Sequence, residues 1–177
     1  MIKRKGPSVM NKKDQIVSFR VGKELFGVSI SEVQEIVRVP EITQVPEMPL
    51  FVEGVINLRG KIVSIVDISR RLKITGGTRT KASRILIVEV EKKVVGLLVD
   101  AVTEILRLPP DAVEAAPDIV TSIGTEYIRG VGKLPNRLII LLSLQKVLKA
   151  EELQRLPVDQ IAQGTYSNQR TPLDAAA

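Results

Sequence analysis

The stretch Ile16-Val-Ser-Phe-Arg-Val-Gly-Lys-Glu-Leu-Phe-Gly-Val-Ser-Ile30 returns further along the chain as Ile85-Leu-Ile-Val-Glu-Val-Glu-Lys-Lys-Val-Val-Gly-Leu-Leu-Val99. The register holds beyond it: Val33 over Val102, Glu35 over Glu104, Ile36 over Ile105, Arg38 over Arg107 and Pro40 over Pro109 are all 69 positions apart. Gly54-Val55 then matches Gly130-Val131, Leu58 matches Leu134, and the apolar run Ile62 to Ile68 matches Leu138 to Leu144, now 76 apart, so the second copy carries seven extra residues. Self-similarity at a fixed offset marks a duplicated structural unit. Two such units side by side present a broad, two-lobed surface, which favours binding to other proteins over chemistry in a single cleft.

Each copy opens on a hairpin. Residues 16–21 and 25–30 alternate apolar and polar around Gly22-Lys23-Glu24, and 85–90 and 94–99 do so around Glu91-Lys92-Lys93. The next segment shifts to a helical period, with Val33, Ile36 and Val37 in one copy and Val102, Ile105 and Leu106 in the other, which predicts a short helical or irregular connection. Pro40, Pro46 and Pro49, then Pro109, Pro110 and Pro117, mark extended loops. A second hairpin follows in each copy, Val55–Leu58 with Ile62–Ile68 and Val131–Leu134 with Leu138–Leu144. Short strands with close turns and no room for crossover helices predict antiparallel sheet closed into two small barrels. Ser143 to Leu156 has the apolar spacing of a helix that caps them. The expected division is a disordered basic leader over 1–14, a first barrel over 15–75, a linker over 76–83, a second barrel with a C-terminal helix over 84–156, and a mobile tail over 157–177. Each copy alone is small enough to bury only about 60% of its unfolded surface, so the halves are expected to pack on one another.

Composition removes several function classes. The chain has no Cys and no His, so disulfides, thiolate chemistry, the commonest general base and the commonest metal ligand are all missing. Asp67 and Asp100 are lone acids outside any catalytic motif, and an enzyme is not expected. No cofactor or metal is expected either. Of the net charge of +6, residues 1–13 supply +5 through Lys3, Arg4, Lys5, Lys12 and Lys13. The other 164 residues hold 21 bases against 20 acids, and aromatic residues make up only 3% of the chain. A nearly neutral body with few rings for base stacking lacks the footprint of a nucleic-acid reader. The alternative function is a nucleic-acid or polyanion module acting through the leader, set against a solvated leader with no such role. No stretch approaches the roughly 20 apolar residues of a membrane span, and no apolar run of a secretory signal follows the leader.

The turn Asn57-Leu-Arg-Gly-Lys61 carries the sharpest local signal. A two-residue type I′ loop would force Arg59 to positive φ, so a slightly longer loop with only Gly60 left-handed is expected. Leu134-Pro-Asn-Arg137 places Asn136 opposite Gly60, which predicts shared geometry, with a projecting guanidinium in the first copy alone.

Val33-Gln-Glu-Ile36, Phe51-Val-Glu-Gly-Val-Ile-Asn-Leu-Arg-Gly60, Ile65-Val-Asp-Ile68 and Val94-Val-Gly-Leu-Leu-Val-Asp100 together resemble the CheW family of chemotaxis coupling proteins, over about Gln15 to Leu156. The resemblance implies two five-stranded, SH3-like barrels and a non-enzymatic adaptor. It would sit in the cytoplasm at receptor arrays, tethering the helical hairpin tip of a chemoreceptor to the regulatory domain of a CheA-type histidine kinase and meeting the membrane only through receptors. Carried over, Val33, Glu35, Gly54, Asn57, Arg59 and Ile105 would face the receptor, the first five lining a groove between the lobes, and Gly96, Val99 and Asp100 would face the kinase. Ser64 stands where the family often has Pro, and Ser143 where it often has Asp. Duller readings compete: a solvated Arg59, Gly54 and Gly96 as backbone requirements, Val33 and Ile105 in the core, and Glu35 and Glu104 as solvated acids.

Overall fold

The computed structural model describes residues 15–75, 77–115, 125–149, 152–153 and 156. The expected leader (1–14), tail (157–177) and Pro117 lie outside the described residues. The first copy forms β1 (Gln15–Val21), β2 (Glu24–Ser29), β3 (Val33–Arg38), β4 (Val52–Leu58), β5 (Lys61–Asp67) and one helical turn, α1 (Ile68–Arg71). The second forms β6 (Arg84–Val90), β7 (Lys93–Val99), β8 (Ala101–Arg107), β9 (Val113–Glu114), β10 (Ile128–Leu134), β11 (Arg137–Leu142) and α2 (Leu144–Val147).

The strands assemble into two sheets, β8-β1-β2-β11-β10-β9 and β3-β6-β7-β5-β4. Replacing every strand except β9 by its repeat partner converts one order into the other, so the duplication in sequence is a duplication in topology. The division of the sheets, however, does not follow the division of the sequence at the 76–83 linker. The first hairpin, β1-β2, joins β8 and β10-β11 of the second copy, while β6-β7 joins β3 and β4-β5 of the first. Two antiparallel pairings, β1 with β8 and β3 with β6, and two parallel ones make the exchange, the parallel ones being β2 with β11 (Phe26 opposite Ile140, Gly27 opposite Leu141) and β7 with β5 (Ser64 opposite Val95 through Asp67 opposite Leu98). The expectation of one barrel per contiguous copy is thereby corrected. The copies are so alike locally that a strand meets an equally suitable neighbour in either, and exchange lets each half bury its hairpin against the other.

The segments expected to be helical, 33–38 and 102–106, are also strands, β3 and β8. Each carries a register shift, at Val33/Glu35 against β6 and at Ser18/Phe19 of β1 against β8. A bulge inserts one residue into the two-residue alternation, so Val33 and Ile36 face the same side and mimic helical spacing. The C-terminal expectation is met only in part: α2 is a single turn beginning after Ser143, and Leu144, Val147, Leu148, Leu153 and Leu156 are buried as an apolar edge.

Three cores result. Ile56, Val63, Ile65, Ile85, Ile87 and Leu98, with Val37 and Leu58 packed on them, draw on all five strands of the second sheet, so it curls around its own interior. Ile16, Leu108, Ile139 and Leu141, flanked by Leu25, Leu106, Val113 and Leu134, do the same for the first. Alternate residues point the other way: Val17, Phe19, Phe26 and Ile140 meet Val66, Leu86, Val88, Val95 and Leu97 in a core shared by both sheets. Strands buried on both faces explain the near-continuous apolar runs such as Ile85-Leu-Ile-Val88.

Two pairs of glycines admit close neighbours, side chains at Gly27 and Gly96 and a backbone at Gly54 and Gly130. A Cβ on Gly27 would lie 2.4 Å from Cγ2 of Ile16, and one on Gly96 would lie 2.5 Å from Cδ1 of Ile65 and 2.7 Å from Cγ2 of Ile85. On β4, Gly54 adopts φ +150° with the Thr43 carbonyl oxygen 2.3 Å from where a Cβ would stand, and Thr43 exchanges backbone hydrogen bonds of 2.9 and 2.8 Å with Val55. Gly130 does the same for Glu114 of β9. The two-residue β9 is thus the counterpart of the Thr43–Val55 bridge.

Gly96→Ala should lower stability by about 1–3 kcal/mol, the usual range for overpacking a filled core. Urea denaturation followed by far-ultraviolet circular dichroism measures it, and an unchanged midpoint would show that the small core has slack.

Candidate functional site

The most developed surface feature grows out of the β4-β5 turn. Leu58 pairs with Lys61, leaving a two-residue loop in which Arg59 has φ 52° and Gly60 φ 86°. This is the tight type I′ hairpin, and the longer loop expected from the sequence does not form. The twist of such a loop matches that of the flanking strands, which outweighs the strain of a left-handed arginine. Glu91 and Lys92, with φ 54° and 67°, accept the same geometry between β6 and β7. Asn57 supports the turn by accepting the Gly60 N–H at 2.8 Å on its side-chain oxygen.

The matching turn differs: Pro135 and Asn136 both keep negative φ, so the geometry is not shared as expected. Proline holds its own φ near −65°, which rules out the type I′ form.

The Arg59 guanidinium, 68% exposed, forms an ion pair with Glu35 on β3. Hydrogen bonding to Glu35, reinforced by its charge, raises the Arg59 pKa above the ordinary arginine value. The bulge at Val33/Glu35 turns Glu35 towards this turn, and the pair spans the gap between the two ends of the second sheet, where no ladder joins β3 to β4 among the described residues. Side chains bridge the curl there.

The same device occurs in the first sheet. Glu104 on β8 pairs with Arg137, the first residue of β11. A guanidinium on the turn itself is found in the first copy alone, as expected, while the second copy supplies one from the strand beside the turn. The arginine has moved two places along the hairpin, out of the turn that Pro135 occupies. Opposite charges searched for around Glu104, rather than at the position aligned with Arg59, would have found it.

The receptor-facing candidates separate into groups. Glu35, Asn57 and Arg59 gather at one end of the second sheet. Val33 is half-buried on the shared core, opposite Val88. Gly54 is buried beneath Thr43 and has a backbone role. Ile105 lies on the other sheet, 53% exposed, and its repeat partner Ile36, which the sequence reading passed over as a site residue, is 39% exposed. Their equivalence by the 69-residue offset was the available signal.

The kinase-facing candidates fare differently. Gly96 is buried between Ile65 and Ile85, and Val99 is 1% exposed. Neither offers a side chain to a partner, because β7 is a central strand covered on both faces. Asp100 is half-buried and accepts the Gly22 N–H at 2.8 Å, holding the β1-β2 turn.

Just before β3, Glu32 is partly buried, and this burial raises its pKa above 4.5, opposed by the charge of Arg129 and by a backbone hydrogen bond at Ser29. A raised carboxyl pKa makes the folded state bind protons more readily than the unfolded one. Its favourable contribution is present below 4.5 and is lost as pH rises through the folded value. Glu32→Gln should therefore melt higher than the native protein at pH 7, with the advantage shrinking as the pH falls through the folded value towards 4.5. Melting curves of both proteins across pH 3.5–7 test this, and a gain that grows on acidification contradicts it.

Residues 15–152 match the CheW-like domain family. The chain is 32% identical over 158 residues to the chemotaxis protein CheW of Treponema pallidum, covering 86% of this chain and 93% of that protein. It is 39% identical over 138 residues to CheW of Rhizobium meliloti, covering 78% and 89%. The crystal structure of the scaffolding protein TtCheW from Thermoanaerobacter tengcongensis superposes with a TM-score of 0.73 at 38% identity, over 79% of this chain and 90% of that one. A doubled, two-sheet β scaffold with paired edge-strand sites is what the fold defines. The chain belongs to the CheW-like family of chemotaxis scaffold proteins. No helix among the described residues is long and apolar enough to cross a membrane.

Proposed function

We propose that the protein is a non-catalytic adaptor that couples the cytoplasmic helical hairpin of a chemoreceptor to the regulatory domain of a CheA-type histidine kinase, acting in the cytoplasm at receptor arrays. The observation that carries the reading is the Glu35–Arg59 pair, an exposed bidentate-capable guanidinium fixed on a two-residue turn and answered by an acid from the opposite sheet edge. A fork held this way selects the orientation of a polar partner face at little entropic cost. Val33 and Ile36 on β3 supply apolar contact beside it, suited to one face of an amphipathic helix. Ile105 would make the corresponding contact from β8. Gly54 and Asn57 act through the backbone that presents Arg59. No kinase contact is placed on Gly96 or Val99, which serve the cores.

Arg59→Glu should weaken binding to a purified receptor cytoplasmic fragment by about tenfold or more, since it sets a like charge against Glu35 and reverses the charge shown to the partner. The melting curve should stay nearly unchanged, because exposed turn charges contribute little to stability. Isothermal titration of native and variant protein against the fragment measures the first, and calorimetry the second. Unaltered affinity, or an unfolded variant, removes Arg59 from the receptor-facing set.

A further inference from the structure

Arg71, at the end of α1, is the most enclosed of the ion-paired side chains among the described residues, only 10% exposed. Its Nε donates to the Val147 carbonyl oxygen at 2.7 Å, and its terminal nitrogen forms an ion pair with Glu152. The guanidinium carbon lies 4.5 Å from the centre of the Phe51 ring and 5.3 Å from that of Tyr127. One planar group thus meets three segments distant in sequence: the entry to β4, the turn before β10, and the C-terminal segment that follows β11.

That C-terminal segment crosses the boundary between the sheets. Leu144, Val147, Leu148, Leu153 and Leu156 join the shared core together with Val52 and Val66 of the second sheet, Leu72 just after α1, and Ile128 and Leu142 of the first sheet. Its backbone is otherwise anchored locally, by Ser143 N–H to the Tyr127 carbonyl and by turns within the segment itself. Apolar contact alone does not fix its position along the seam, since it has no direction. A guanidinium with fixed donor directions, stacked on a ring, does.

We propose that the described residues of the C-terminal segment (143–149, 152–153 and 156) form a strap across the two interleaved sheets and that Arg71 is the positioning residue that locks it. Without the lock the strap opens as one unit while the sheets stay folded. The apolar seam under it would then be uncovered, so the lock sets whether the protein presents a closed or an open seam.

Native-state hydrogen exchange of the full chain tests this, using the amides of Val147, Leu148 and Leu153, which are bonded to Ser143, Leu144 and Lys149 within the strap. In Arg71→Leu these three amides should exchange at least about tenfold faster, while Leu86 and Leu97 in the central strands keep their native rates. Glu152→Gln, which leaves the ring contacts and the Val147 bond in place, should accelerate the same three amides by a smaller factor and serves if Arg71→Leu does not fold. Parallel acceleration of strap and central-strand amides would make Arg71 an ordinary contributor to global stability and overturn the proposal. Unchanged strap amides in both variants would overturn it as well.

Discussion

The parallel pairing of β7 with β5, and of β2 with β11, is the constraint on which the rest of the structure depends. Together with the antiparallel pairing of β1 with β8 and of β3 with β6, it makes each sheet draw on both copies of the repeat. Everything else that distinguishes the fold follows from fitting side chains around that exchange. Gly96 and Gly27 sit on the exchanged strands, where a methyl group would strike isoleucines of the small cores. The opposite faces of the same strands meet in the shared core, so neither half can bury its apolar surface without the other. The result is a body in which each sheet repeats the strand order of the other, and in which the acid–arginine pair and the exposed isoleucine of the edge strand occur twice.

That relation clarifies the surface. Glu35–Arg59 and Glu104–Arg137 occupy equivalent places, as do Ile36 and Ile105. Exposed ion pairs of this kind stabilise the fold little. Their geometry comes instead from the bulges and short turns that aim them, which rest on rigid, doubly buried strands. The two copies are not identical where they matter. A left-handed Arg59 projects from the turn itself, whereas Arg137 lies along its strand behind a proline turn, so a partner meets the same charges in different directions.

Much of this was legible in the sequence, and the exceptions have physical causes. The hairpins and the duplication could be read because local period and turn residues specify them. The β3 and β8 strands imitated helices because a bulge displaces the alternation of Val33 and Ile36 by one residue. The exchange of strands was hidden for the opposite reason: repeats that are alike locally carry no signal about which copy pairs with which. Burial of Gly96 and Val99 was obscured by that same exchange, since β7 looks like the outer strand of a hairpin until β5 is laid beside it. Arg71 stood in a short polar run, Ser69-Arg70-Arg71, with nothing nearby in sequence to show that Phe51, Tyr127 and Glu152 enclose it.

Cutting the chain between Gly76 and Gly77 tests the interleaving most directly. Fragments 1–76 and 77–177 should each lack a cooperative thermal transition and a dispersed amide spectrum when alone, and should recover both when mixed in equal amounts. A native-like spectrum with cooperative melting from either fragment by itself would contradict a structure in which each sheet needs strands from both.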